Sequence, residues 1–260
     1  MLASYTETSF ASEGFRKPVY TRGAGAPVIV MHELPGITPE VTRFADWVVD
    51  AGFRVYLPLL VGEAGRPLSF SYLLTSFATV CIRREFAMLA ADRASPVTGW
   101  LRALARHALN ETGGASVGAI GMCLSGNFVL SMMMEPAVVA PVLSHPCVPL
   151  ALGKTRKAGL NIAPQDWQCV KERCAAGARL MGLRFKGDPM SPPERFERLK
   201  HELGDAFEAI EIEERYGNPA SHAPKPHSVV TYDLIDEDGQ PTKEAAKRVI
   251  AFFVERLKTA

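Results

Sequence analysis

The octapeptide Ala119-Ile120-Gly121-Met122-Cys123-Leu124-Ser125-Gly126 carries the strongest chemical signal in the chain. A thiol stands between an apolar run that reads as a strand, Val117 to Met122, and one that reads as a helix, Phe128 to Met134. Gly121, Ser125 and Gly126 are small enough for backbone to pass closely. This is the composition of a nucleophile elbow, a strained strand-to-helix turn that presents its central side chain. A helix N-terminus behind Cys123 would favour the thiolate, and backbone N–H groups there would serve a developing oxyanion. The competing reading is a structural cysteine buried at a tight turn.

A thiol nucleophile needs a base. His227, in Lys225-Pro226-His227-Ser228, follows the last expected strand and is the favoured candidate. His222, five residues earlier in a Pro-rich loop, is its rival. Asp188, in Lys186-Gly187-Asp188-Pro189, lies just past a strand expected to end at Phe185. A Gly-Asp-Pro turn explains that aspartate on its own. Its place between nucleophile and histidine makes it the candidate orienting acid. Glu33 follows the first buried strand, at the end that faces the same crevice, although a solvated loop glutamate is an equal reading. The backbone N–H groups of Leu124 and Leu34 are the candidate oxyanion donors. His32 has no second histidine at metal-ligand spacing and reads as structural.

These residues need elements to position them. Strands are expected at 26–31, 53–57, 117–122, 137–143, 178–185 and 206–212. Helices are expected at 39–50, from 69 to about 90, from Ser95-Pro96 to about Leu109, and at 128–134, 164–176, 192–203 and 242–257. Ser95-Pro96 reads as an N-cap followed by Pro at the first helical position. Strand–helix alternation predicts an α/β fold with a mostly parallel sheet covered on both faces. Ligands in such sheets sit beyond the carboxyl ends of the strands.

The 260 residues, without repeats or a long linker, favour one domain over 1–260. Lys plus Arg is 29 and Asp plus Glu is 28, so no net pull toward nucleic acid or an anionic membrane is expected. No apolar run is long enough for a membrane span, and MLASYTETSF lacks the pattern of a secretory signal. Five irregularly spaced cysteines argue against a disulfide framework and for a cytoplasmic, reducing setting. Cys169 and Cys174 read as core or surface thiols, Cys81 and Cys147 as buried hydrophobes, and Met132 to Met134 as core. The His145–Gly159 stretch, broken by Pro146 and Pro149, is a candidate loop over the crevice.

Together these motifs resemble the dienelactone hydrolase family, a branch of the α/β hydrolases. The matching pieces are Gly121-Met122-Cys123-Leu124-Ser125-Gly126, the stretch Asp188 to Arg195, Lys225-Pro226-His227-Ser228, and Glu33 after the first strand. The resemblance implies an α/β-hydrolase fold and a Cys123–His227–Asp188 triad that attacks an ester or lactone carbonyl. It implies that Glu33 contacts the resting thiol and helps activate it. It also marks departures. Ser125 stands where the family usually has glycine. Thr231 stands where family enzymes acting on dienelactone carry a carboxylate-binding arginine. Arg84 is the candidate for a second such arginine, against a reading in which it is exposed or paired with Glu85. A small-molecule ester or lactone is the expected partner, without metal or organic cofactor; the residues leave monomer and dimer both open. The rival readings are a carboxylesterase with no need of an anionic substrate, a binding protein without catalysis, and a redox sensor at Cys123. The last is disfavoured by the lack of a resolving cysteine nearby in sequence.

Overall fold

The computed structural model describes residues 2–82, 95–147, 153–221 and 225–258, with backbone alone for 81 and 82. Its strands are β1 (Thr6–Ser12), β2 (Phe15–Arg22), β3 (Pro27–Met31), β4 (Arg54–Pro58), β5 (Val117–Met122), β6 (Val138–Ser144), β7 (Leu180–Phe185) and β8 (Phe207–Ile212). Its helices are α1 (Pro39–Asp50), α2 (Phe70–Ile82), α3 (Val97–Thr112), α4 (Phe128–Met132), the single turn α5 (Lys154–Lys157), α6 (Pro164–Ala175), α7 (Pro193–Leu203) and α8 (Pro241–Leu257). The strands form one eight-stranded sheet in the order β1-β2-β4-β3-β5-β6-β7-β8. β2 runs antiparallel to β1 and β4, and the remaining pairs are parallel.

The burial of β3, β5 and β7 shows why their sequences do not alternate. Every residue of these strands is buried, because successive side chains enter cores on opposite faces. Val28 and Val30 join Phe44 and Val48 of α1 and Val249 and Phe253 of α8. Ile29 and Met31 join Trp100 and Leu104 of α3, Phe128 of α4, Val170 of α6 and Phe196 of α7. Gly118 of β5 lets α8 pack close: a Cβ there would lie 3.0 Å from Leu257 and 3.2 Å from Phe253.

The β1–β2 hairpin is a feature the sequence reading lacks. β1 is largely exposed and carries no apolar run, so periodicity gives no signal. The turn does: Glu13 and Gly14 adopt φ of 50° and 76°, the geometry of a two-residue hairpin loop. Helix α3 also differs. Pro96 rather than Ser95 takes the N-cap position, and the helix runs on to Thr112, where Gly113 closes it in a left-handed conformation. After the elbow, a 3-10 turn over Cys123–Asn127 precedes α4, in place of one helix from Phe128 to Met134. The part of the expected 69–90 helix beyond Ile82 lies outside the described residues.

Candidate active site

Cys123 sits where β5 hands over to its 3-10 turn, with φ of 53°. That left-handed backbone is costly for a residue with a Cβ, and the surroundings enforce it. A Cβ on Gly121 would lie 2.3 Å from the Ser125 carbonyl oxygen, and one on Gly126 would lie 3.1 Å from Pro146 Cα. The Ser125 hydroxyl ties the turn together. It accepts the Met122 N–H at 2.9 Å and lies 2.9 Å from the Met31 carbonyl and 3.0 Å from that of Met122. Serine at this position therefore joins the elbow to the end of β3, where Glu33 begins its loop.

Asp188, just past a strand, and His227, in the loop between β8 and α8, come from distant segments and meet. Asp188 lies just beyond β7; its Oδ2 is 2.6 Å from His227 Nδ1, and its Oδ1 accepts the Met190 N–H at 2.9 Å. The backbone N–H groups of His227 and Ser228 donate to Asp233 Oδ2 at 2.7 and 2.8 Å, fixing the loop that carries the ring. Burial pushes the imidazole pKa down, but the Asp188 hydrogen bond and charge, aided by Cys147 and Glu33, outweigh it, and the net shift is upward. The Asp188 pKa is lowered: burial opposes this, and the His227 hydrogen bond and charge overcome it. Nε2 of His227 is buried and has no hydrogen-bond partner among the described residues.

Glu33 is buried as an anion. Burial would raise its pKa, but hydrogen bonds from His145, Ser228 and Thr231 pull it below the usual value. Thr231 Oγ1 donates to Oε1, Ser228 Oγ to Oε2 at 2.5 Å, and His145 Nε2 lies 3.3 Å from Oε2. These donors, rather than the Cys123 thiol, are the hydrogen-bond partners of the carboxylate. Glu33 acts on Cys123 through its charge, which raises the thiol pKa.

Two members of the cluster were not named as site residues from sequence. His145 is fully buried just past β6, with φ of 38°. Its Nδ1 lies 2.9 Å from Ser144 Oγ, and its ring meets that of His227 edge to face at 4.5 Å. Burial first, and then the neighbouring His227, lower its pKa, so it serves Glu33 as a neutral donor through Nε2. Its position at a strand's carboxyl end was the available signal. Cys147 corrects an expectation. It packs partly against the core but is no isolated buried hydrophobe. Its N–H donates to the Cys123 carbonyl at 3.1 Å, and the two thiols act on each other's pKa. The Cys147 side chain, then burial, raises the Cys123 pKa well above its ordinary value. The Cys123 side chain, with His227 and Arg195 nearby, lowers that of Cys147.

The remaining candidates are placed as follows. The Leu124 N–H reaches the Cys123 sulfur. Leu34 is half-buried against the same core as Leu124. His32 is structural: Nε2 accepts the Leu60 N–H at 3.0 Å, Nδ1 lies 2.7 Å from the Glu33 carbonyl, and burial lowers its pKa to about 4. Arg195 is buried on three neutral acceptors, Gly159 O, Asn127 Oδ1 and Asn161 Oδ1, which bind the crevice loop to the elbow. Arg84, His222 and the Cys81 side chain lie outside the described residues. Among the described residues no three His, Cys, Asp or Glu form a metal-binding group, and no helix is long and apolar enough to cross a membrane.

Solved structures share this architecture at low sequence identity. A candidate dienelactone hydrolase from Klebsiella pneumoniae subsp. pneumoniae MGH 78578 is similar with a TM-score of 0.63 at 17% identity, over 96% of this chain and 98% of that one. A dienelactone hydrolase-like promiscuous phosphotriesterase from metagenomic libraries gives 0.59 at 14%, over 97% and 98%. A cold-adapted esterase from an Arctic intertidal metagenomic library gives 0.57 at 13%, over 98% and 95%. At these identities the likeness shows the fold alone. No curated protein sequence matches the chain. The dienelactone hydrolase family model matches residues 18–255, a span that takes in the elbow and the ends of β3 and β7. With that span and this sheet order, the chain belongs to the dienelactone hydrolase family of the α/β-hydrolase superfamily.

Proposed function

We propose that this hydrolase cleaves ester or lactone bonds in small molecules with Cys123 as nucleophile, His227 as general base and acid, and Asp188 as the group that orients His227. The state of His227 carries the reading. Asp188 takes Nδ1–H, which leaves Nε2 as the acceptor, buried and unpartnered, on a ring whose charge is felt at Cys147, the neighbour of Cys123. An imidazole so held is poised to remove a proton.

In the resting state the Cys147 side chain, then burial and the Glu33 charge, disfavour the Cys123 thiolate. Substrate entry brings a carbonyl against the thiol, and Nε2 takes the proton as the sulfur attacks. The oxyanion falls to the Leu124 and Leu34 N–H groups. The C–O bond breaks, His227 returns the proton to the leaving oxygen, and a thioester remains on Cys123. His227 then deprotonates a water that attacks the thioester, releasing the acid and restoring the thiol. Glu33 remains anionic nearby and stabilises the imidazolium that forms in each half-reaction.

A substrate without a carboxylate fits best. The side chain at 231 is a threonine whose hydroxyl is committed to Glu33, so that position offers a substrate carboxylate no positive charge. Hydrolysis of a short-chain p-nitrophenyl ester by wild type and Cys123→Ala, with chelator present, tests the nucleophile. Turnover by the wild type alone supports the reading; equal turnover by both refutes it. A panel of neutral and anionic esters then tests the substrate class, and a clear preference for anionic esters would overturn it.

A further inference from the structure

Cys123 and Cys147 stand 24 positions apart in the sequence, yet their backbones are joined by a 3.1 Å hydrogen bond and each thiol shifts the pKa of the other. We infer that the two form a reversible disulfide when the protein meets a hydroperoxide, a modification that masks the thiol at the elbow. A disulfide requires Cα atoms within roughly 7 Å and side chains that face each other. A direct backbone hydrogen bond brings the two Cα atoms within that reach, and the mutual influence of the thiols marks the sulfurs as neighbours. Both residues are half-buried rather than sealed, so a molecule as small as hydrogen peroxide can reach them.

The surroundings supply what the reaction needs. A thiolate must form, and His227, whose Nε2 is unpartnered, favours the anionic form of Cys147. The Arg195 guanidinium is near Cys147, and the acceptors that hold it are neutral. Its positive charge is therefore left to favour an anionic sulfur. One thiolate attacks a peroxide oxygen; the S–O bond forms, the O–O bond breaks, and the departing hydroxide takes a proton to become water. The sulfenic acid is then attacked by the second sulfur. The S–S bond forms, the S–O bond breaks, and a second water leaves. Two thiols lose two electrons and two protons, and one peroxide becomes two waters. Cys147 is thus a resolving cysteine that sequence distance conceals. It captures the sulfenic acid before further peroxide drives Cys123 to the irreversible sulfinic state.

The loss of activity rests on Cys123 being the nucleophile; the disulfide does not. The test therefore reads the two separately. Wild type and Cys147→Ser are treated with a several-fold molar excess of hydrogen peroxide, and each is referenced to its own untreated ester hydrolysis. Combined cleavage after Phe128 and after Lys154 puts the two cysteines on different fragments, so that only a disulfide holds them together. The expected wild-type result is a linked fragment pair about 2 Da below the sum of its parts. Hydrolysis falls more than about tenfold and returns with dithiothreitol. Cys147→Ser instead gains about 32 Da on the Cys123 fragment, and dithiothreitol does not restore it. Absence of the linked pair in wild type, with Cys123 driven to sulfinic acid, overturns the inference. So does linkage of either residue to Cys169 or Cys174 in its place. A linked pair with undiminished hydrolysis upholds the disulfide and refutes the assignment of Cys123 as nucleophile.

Discussion

Replacing Asp188 with asparagine tests the proposed triad more sharply than deleting the thiol, because it changes one atom and keeps the shape. Both carboxylate oxygens of Asp188 accept hydrogen bonds, one from His227 Nδ1 at 2.6 Å and one from the Met190 N–H at 2.9 Å. An amide has one oxygen, so either orientation turns its NH2 toward a donor. Facing Met190, the NH2 would oppose the Met190 N–H and forfeit that hydrogen bond, at a cost of about 0.5–1.5 kcal/mol. Facing His227, it avoids that cost if the ring moves its proton from Nδ1 to Nε2. The second arrangement wins, and its consequence is chemical: Nε2 then carries a hydrogen and cannot accept one from a thiol. The analogous change in serine proteases costs about 10^4 in kcat, so a loss of about 10^3–10^4 is expected here, or roughly 4–5.5 kcal/mol of transition-state stabilisation. The assay is kcat/KM on a p-nitrophenyl ester across pH, with urea unfolding to confirm a folded variant. The sign of the pH effect follows from Asp188, which holds the His227 pKa up. Without its charge that pKa falls, the free base persists to lower pH, and the acidic limb of the residual activity moves down. A folded variant that keeps more than about a tenth of wild-type kcat/KM would refute the argument.

Three further outcomes are expected. Ser125→Ala removes the hydroxyl that joins Met122 and Met31, leaving buried backbone groups unpaired; urea unfolding should show a loss of about 1–3 kcal/mol, and an unchanged midpoint would contradict that account. Thr231→Val keeps the shape but withdraws a donor from the buried Glu33 carboxylate; a loss of about 1.5–3 kcal/mol is expected at pH 7, with an upward shift of the Glu33 pKa visible by carboxyl-labelled NMR. His32 is buried with its pKa lowered to about 4, so it favours the unfolded state once that state protonates. Stability is then full above about pH 6.5 and falls as pH drops toward 4, by roughly 3 kcal/mol from this group. Denaturant titrations of wild type and His32→Gln across that window check it, and equal pH slopes in the two would contradict it.

The element pattern was legible where a segment's own residues decide its burial. β5 and α1 fall on the residues their apolar runs mark, and the neighbouring strands differ by a residue or two, because a strand covered on both faces must be apolar at every position. The elbow was legible for a similar local reason: small residues around one thiol are needed wherever backbone crosses backbone closely. The β1–β2 hairpin was not, since an exposed edge strand buries too little to leave a hydrophobic pattern. Its only mark was a Glu-Gly turn.

The site divides along the same line. Sequence alone determined that a thiol, a carboxylate and a histidine occur in the right order at the ends of strands, and that Glu33 accompanies them. The tertiary structure decided which groups meet. It gave Asp188 to His227, surrounded Glu33 with Thr231, Ser228 and His145, and set Cys147 against Cys123. Those pairings join residues from 24 to 198 positions apart. They arise because a parallel sheet gathers the carboxyl ends of distant strands along one edge. Local composition marks each residue at its own strand end. Only strand order and register determine which of those ends are neighbours.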